Sequence, residues 1–381
     1  MSEAAAAVLD EGRQQKAREY ARLNRRLLLV DLALGGAYMA LWLATGWNIA
    51  LREWVDTITR SPALAVLIYA LTFSAPYGVV ELPLSYYGGF VLPHRYGQST
   101  QTLRGWITDQ IKGAAISVPL SILVLEIVYA LLRAAPEWWW LYAAVVMLFF
   151  TVVLSVLAPV IIAPLFYKFT PLADEDLARR LLDLAVRAGT EVKGVFRIDM
   201  SRRTKSANAA VMGLGATRRI VLGDTLLDEF TPDEIETILA HELAHLVHRD
   251  VPLLVASNSL LTLASFGVAH LVLQWGARAF GLQGLADPAG MPVFALTLGA
   301  IGLIAMPLGN AFSRWRERMA DRYALEMTRK PEAFASAMTR LANQNLGEAD
   351  PERWVVILLY SHPPIIERVA AAQAFATAQA D

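Results

Sequence analysis

The chain of 381 residues is 55% hydrophobic and only 18% charged, with a mean hydropathy of +0.40, which is too apolar for an ordinary soluble domain of this length. Its formal net charge of −1 and the lack of a long basic run exclude a global field for polyanions, so no nucleic-acid partner is expected. The absence of cysteine excludes disulfides, thiolate ligation of a metal and a thiol nucleophile, and leaves histidines and carboxylates as the strong ligands.

Residues 1–26 are polar, with Arg13, Lys16, Arg18, Arg22, Arg25 and Arg26. They lack the apolar core and small-residue cleavage site of a removed signal, so the first apolar span is expected to stay in the bilayer. Stretches of about twenty apolar residues, enough to cross the hydrocarbon core, occur at 27–46, 63–83, 113–132, 138–162, 252–275 and 291–311. Pro76, Pro119, Pro159 and Pro307 are expected to kink or end helices, which membrane helices tolerate when neighbours satisfy the freed carbonyls. Glu81 and Glu126 are costly against lipid and are expected to face a watery interior.

The basic residues before the first span, Arg95, Arg104 and Lys112 in the 84–112 loop, and Arg314, Arg316, Arg318 and Arg322 after the last span outnumber Arg52, Arg60, Arg133 and Arg278 on the other side. By the positive-inside rule, both termini, the 84–112 loop and the 163–251 insert are expected to be cytoplasmic. Trp138, Trp139, Trp140 and Tyr142 then read as an aromatic belt on the outer side.

Between the two groups of spans, 27–162 and 252–311, lies the long insert 163–251, about ninety residues. Its helical spacing of aliphatic residues predicts an amphipathic helix over 175–188. Short apolar runs predict a strand at 195–200 and a hairpin from 206–213 and 219–222, whose edge strand could accept an extended peptide by backbone hydrogen bonds. A helix then starts at Thr231, where Thr231 caps, Pro232 suits the first helical position and Glu234 completes a capping box.

On that helix stands His241-Glu242-Leu243-Ala244-His245. Histidines four apart project from one face and can hold one Zn²⁺, while Glu242 reaches a metal-bound water. A catalytic zinc takes three protein ligands and keeps one position for water. Glu317 is the preferred third ligand, because Arg314, Glu317 and Asp321 fall at i, i+3 and i+7 on a helix leaving the last span. His248 is the alternative. Asp321 can orient a zinc histidine or a substrate group. The C-terminal part of the site is expected over 312–370, followed by an Ala-rich tail at 371–381 that frays.

His241-Glu-x-x-His245, Ser313-Arg-x-x-Glu317-x-x-Ala-Asp321, Ser206-Ala-Asn208-Ala and His362-Pro-Pro, taken in order, resemble the integral-membrane type-1 CAAX prenyl proteases, from about residue 60 to 370. The resemblance implies one zinc per chain on His241, His245 and Glu317, with Glu242 as general base. It also implies a proton-donor or supporting role for Asp321, and substrate or oxyanion contacts from Asn208 and His362. An interior chamber enclosed by the spans is implied as well. Substrate contacts are further expected from Ala209, Ala210, Val211 and Arg314. Ala210 stands where the family usually has an aromatic residue, and His248-Arg-Asp follows the second histidine where the family differs. The spans number six here, against the seven typical of eukaryotic members.

The expected architecture is a mainly α-helical polytopic membrane protein with a small α+β zincin-type catalytic domain on the cytoplasmic side. The expected partners are the lipid bilayer and peptide or protein substrates, prenylated ones included. The competing readings are an HtpX-like metalloprotease of membrane-protein quality control, and a polytopic transporter or binding protein with a structural zinc.

Overall fold

The computed structural model describes residues 7–213 and 215–380. The first six residues of the predicted N-terminal segment, Leu214 between the two hairpin strands, and Asp381 of the tail lie outside them.

The membrane part comprises α1 (Glu11–Thr45), α2 (Trp47–Ile58), α3 (Pro62–Tyr86), α4 (Leu92–Arg95), α5 (Leu103–Ala134), α6 (Trp139–Leu157) and α7 (Ala163–Phe166). Single π-helical stretches join α3 to α4 and α6 to α7. The soluble part follows with β1 (Phe169–Pro171), α8 (Glu175–Arg187), β2 (Val195–Ile198), β3 (Ala209–Met212), β4 (Arg219–Gly223), α9 (Asp224–Glu229) and α10 (Pro232–Val247). The chain then returns through α11 (Asp250–Ala279) and α12 (Met291–Thr328) and closes with α13 (Pro331–Gln344), α14 (Arg353–Leu359) and α15 (Ile365–Ala380).

Six helical stretches are long and apolar enough to cross a membrane: Glu11–Thr45, Pro62–Arg95, Leu103–Ala134, Trp139–Phe166, Asp250–Ala279 and Pro288–Thr328. They match the six expected spans but are longer. The polar segment before the first span is the opening part of α1 itself, where Gln14 and Ala17 are buried. Gln14 bonds to Gly347 and Ala349 of the C-terminal region (3.2 and 3.0 Å), and Arg25 pairs with Glu348 at 2.9 Å. Pro76, Pro119 and Pro307 end no helix, and Pro159 falls in the π-helical stretch after α6.

Buried side chains in the spans are confined to two places. Trp42 of α1, Val66, Tyr69 and Phe73 of α3, Val128, Tyr129 and Leu132 of α5, Trp139 and Ala143 of α6, Phe266, Ala269 and Leu273 of α11, and Met291 and Val293 of α12 form one core at the end remote from the soluble part. From that core to the soluble part each span runs for several turns without a buried residue: none lies between Ala17 and Trp42, and none between Val293 and Arg314. The spans are therefore closely packed at one end and loosely packed toward the other.

The soluble part lies at that loosely packed end. Its four-stranded sheet has the order β1-β2-β4-β3, with β2 parallel to β4 and the outer pairs antiparallel. Helix α10 packs on the sheet, α8 and α13 through Leu239, Ala240 and Leu243, all fully buried with Leu181, Leu184, Ile220, Leu222 and Phe334. The hairpin is β3 and β4, with Ala209 opposite Leu222 and Met212 opposite Arg219. The predicted strand at 195–200 ends at Ile198, and β1 was not anticipated.

Candidate metal centre and active site

Helix α10 starts as its sequence predicts. Thr231 Oγ1 accepts from the Glu234 amide at 3.3 Å, and Glu234 returns a carboxylate oxygen to the Thr231 amide at 2.8 Å. The other Glu234 oxygen accepts from Ser336 Oγ (2.5 Å) and Arg340 Nε (2.8 Å), which fixes the start of α10 against α13. With its beginning and its buried face both set, the histidines are turned toward α12.

One ligand atom from each of His241, His245 and Glu317 lies within 4.8 Å of the others. His241 Nε2 stands 3.2 Å from Glu317 Oε2, and His245 Nε2 stands 3.6 Å from Glu317 Oε1. The far nitrogen of each imidazole is occupied. His241 Nδ1 donates to Asp321 Oδ1 at 2.9 Å, and His245 Nδ1 donates to Asp250 Oδ2 at 2.7 Å. Those bonds place the ring protons on Nδ1 and leave both Nε2 lone pairs facing Glu317.

Each supporting carboxylate is itself held by an arginine. Arg368 grips Asp321 through both oxygens, at 2.9 and 2.5 Å, and Arg316 Nε donates to Asp250 Oδ1 at 2.6 Å. These carboxylates and guanidinium groups are buried, so their pairing meets the desolvation cost that would otherwise expel them.

Glu317 Oε2 is buried and has no hydrogen-bond partner among the described residues. A buried carboxylate oxygen without a donor is costly in a purely structural role. Two inward imidazole lone pairs and this oxygen are the donor set that zinc takes in catalytic sites, so the residues present fit the metal. His248, the alternative third ligand, is not among them. Helix α10 ends at Val247, Arg249 takes a left-handed conformation with φ 54°, and the His248 ring packs edge-on against Tyr323.

Burial opposes charge on His241, but the carboxylates of Asp321 and Glu317 outweigh it and lift the ring to about 9. A proton and a metal ion therefore compete for this residue. Glu242 is partly open to the site, and burial pushes its carboxyl up against the pull of the neighbouring imidazoles.

The remaining candidates surround this cluster unevenly. His362 Nε2 is 3.5 Å from Glu317 Oε1, on an exposed ring whose Nδ1 meets Ser361 Oγ at 2.9 Å. Asn208 is exposed just before β3, and its carbonyl accepts from the Gly223 amide at 2.9 Å. Gly223 allows this close approach, since a Cβ would lie 2.7 Å from Met200 Sδ and 3.1 Å from the Asn208 oxygen and one or both would have to shift. Ala209, Ala210 and Val211 lie in β3, which is paired only to β4 and is the sheet edge next to α10. Arg314 Nη1 donates to the carbonyls of Val356 (2.8 Å) and Tyr360 (2.5 Å), so it anchors the segment leading to His362.

Sequence reasoning missed Asp250, Arg316, Arg368 and Asn345. The Asn345 side chain accepts from the Ala207 amide at 2.8 Å and donates to the Ala207 carbonyl at 3.1 Å, pinning the approach to β3 as a neighbouring strand would. An unusually charged stretch at 248–250 was the only signal for Asp250, and nothing local marked the others.

Residues 1–168 match the family described as CAAX prenyl protease N-terminal, five membrane helices, and residues 171–376 match peptidase family M48. Among the described residues, four long apolar helices precede residue 168, together with the shorter α2. The chain is 32% identical over 361 residues to "Uncharacterized metalloprotease YhfN" of Bacillus subtilis, covering 94% of this chain and 84% of that protein. It is 30% identical over 335 residues to CAAX prenyl protease 1 of Saccharomyces cerevisiae, covering 83% and 73%. Its fold matches the crystal structure of S. mikatae Ste24p with a TM-score of 0.85 and 26% identity, over 97% of this chain and 92% of that one. The chain therefore belongs to peptidase family M48 and is a multi-pass membrane metalloprotease of the CAAX prenyl protease 1 type.

Proposed function

We propose that this protein is a zinc-dependent endopeptidase with one metal ion on His241, His245 and Glu317. The proposal rests above all on the convergence of the buried Glu317 carboxylate with two imidazoles whose far nitrogens are already satisfied. A zinc ion held there supplies Lewis acidity and lowers the pKa of water toward about 7. Glu242 takes the proton of the attacking water and passes it to the leaving amine. Its raised affinity for protons, a consequence of burial, suits that exchange. His362, across Glu317 from the histidines, donates a hydrogen bond to the scissile carbonyl oxygen as charge develops there. Asp321 and Asp250 keep the ring protons on Nδ1, and Arg368 and Arg316 keep those carboxylates in place.

An extended peptide adds to the open edge of β3 at Ala209 to Val211, with Asn208 at the head of that strand. The side chain of Ala210 leaves this edge uncrowded. The stretches of the spans that bury no residue support an interior hollow, which gives the site an apolar approach from the bilayer and restricts entry to narrow, extended chains. Prenylated C-terminal peptides fit both conditions, as the name of the Saccharomyces cerevisiae relative suggests. The balance of basic loop residues supports a site on the cytoplasmic side. A transporter with a structural zinc needs a fourth protein ligand, and among the described residues only three gather.

The test is hydrolysis of matched peptides with and without a prenyl group by the purified protein, before and after chelation. Chelation should abolish cleavage, zinc should restore it, and the prenylated peptide should be preferred in kcat/KM by about tenfold or more. Equal cleavage of both peptides would refute the substrate assignment, and full cleavage in chelator would refute the zinc mechanism.

A further inference from the structure

Helix α12 leaves its apolar stretch at Arg314, the first charged residue after Met291. One to three turns earlier, Ile304 and Leu308 are 75% and 74% exposed, the most exposed large apolar side chains of α12. Trp315, next to Arg314, is also exposed, and tryptophan favours the boundary between hydrocarbon and water. This part of α12 therefore sits at the depth of lipid head groups.

Helix α14 is fastened at the same depth. Asn310 Nδ2 donates to the Leu358 carbonyl at 2.7 Å, and Arg314 holds the carbonyls of Val356 and Tyr360. While Val355 is buried, Trp354, Ile357 and Leu358 are exposed, so α14 turns an apolar face outward at the bilayer surface.

Between α12, α14 and the start of α15 lies an open cavity of about 480 Å³ lined by Arg314, Arg318 and Arg353, with Ile357 and Ile366 at its apolar side. Its acidic lining residues are Asp350 and Glu367, and Arg318 pairs with Glu367 at 3.2 Å across an exposed contact. Arg353 has no ion-pair partner among the described residues, and Nε and Nη2 of Arg314 make no hydrogen bond among them. Three guanidinium groups against two carboxylates leave positive charge at head-group depth. Ala311, on the cavity wall, continues the face of Ile304 and Leu308.

We propose that this cavity binds the phosphate of an anionic membrane phospholipid, whose acyl chains lie along Ile304 and Leu308. Guanidinium groups match phosphate oxygens in charge and in geometry, and the apolar flank accepts the chains. Because Arg314 also holds the carbonyl of Tyr360, the bound lipid steadies the segment that carries His362.

The test measures lipid retention and does not depend on peptidase activity. The full-length protein is taken from mixed vesicles of phosphatidylcholine and phosphatidylglycerol, and its co-retained lipids are counted by native mass spectrometry. The wild type should retain phosphatidylglycerol preferentially. The R318Q/R353Q protein should lose that preference by about tenfold or more, as expected for two arginines near a lipid surface. The R179Q/R187Q protein, with the same charge change on α8, should keep it. R353Q alone, a change at an exposed residue without an ion-pair partner, should show a partial loss and serves if the double variant does not fold.

Unchanged retention in R318Q/R353Q, or no preference in the wild type, overturns the proposal. Displacement of phosphatidylglycerol by millimolar inorganic phosphate also overturns it, in favour of a soluble anion site. An effect of R318Q/R353Q on KM for peptides with a free carboxylate, but none on lipid retention, overturns it in favour of a substrate contact.

Discussion

Asp250 accepts a hydrogen bond from His245 Nδ1 at 2.7 Å, although it lies on the next helix, beyond the left-handed turn at Arg249. The turn directs the chain out of α10 and brings the carboxylate back to the ring. Arg316, reaching from α12 to both Asp250 and the His248 carbonyl, fixes that turn. Asp250→Ala should therefore weaken zinc binding by about 10- to 100-fold, the usual effect of losing a carboxylate behind a ligating histidine. Competition against a chelator of known affinity measures this, and an unchanged affinity would remove Asp250 from the site.

Glu317→Ala should lower the zinc content of the purified protein well below that of the wild type, because it removes one of the three ligands that gather among the described residues. Metal analysis by mass spectrometry suffices. Full occupancy in this variant would shift the third-ligand role to another residue.

The membrane orientation can be read with single cysteines, since the chain has none. Ala173, exposed before α8, and Gln283, exposed beyond α11, are separated by the length of α11. At about 1.5 Å per residue, this 30-residue helix is long enough to cross the bilayer. In intact cells, Gln283→Cys should react with a membrane-impermeant thiol reagent and Ala173→Cys only after lysis. The reverse pattern would put the zinc site outside.

Acid should weaken the soluble part through Glu236. Burial would raise this carboxyl, but Lys330 and Arg180 outweigh burial and hold it below the usual range. A depressed carboxyl contributes stability that is complete above its unfolded value and is lost as pH falls through the folded one. Lys330→Ala should thus lower the apparent melting temperature at pH 7, and the difference from wild type should shrink below about pH 4. A difference that stays constant with pH would show that Lys330 acts through packing.

How much of this could be read from the sequence follows from the range of each interaction. The spans were visible because some twenty apolar residues in a row admit few other structures. The start of α10 was visible because a capping box lies within four residues. The hairpin, too, is local. The support behind the histidines was not, since Arg368 meets Asp321, and Asn345 meets Ala207, only after the chain has folded back from distant positions. Arg314 illustrates the same limit: its place on the helix face was legible, but the carbonyls of Val356 and Tyr360 that occupy it were not.

The most direct test of the mechanism is the Glu242→Gln protein, assayed for metal and for peptide cleavage in the same preparation. Glu242 lies beside the ligand cluster and is not part of it. The variant should retain about one zinc per chain and lose cleavage by about a hundredfold or more, as removal of a general base does. Loss of the metal would place Glu242 among the ligands, and wild-type cleavage with zinc retained would show that it is not the base.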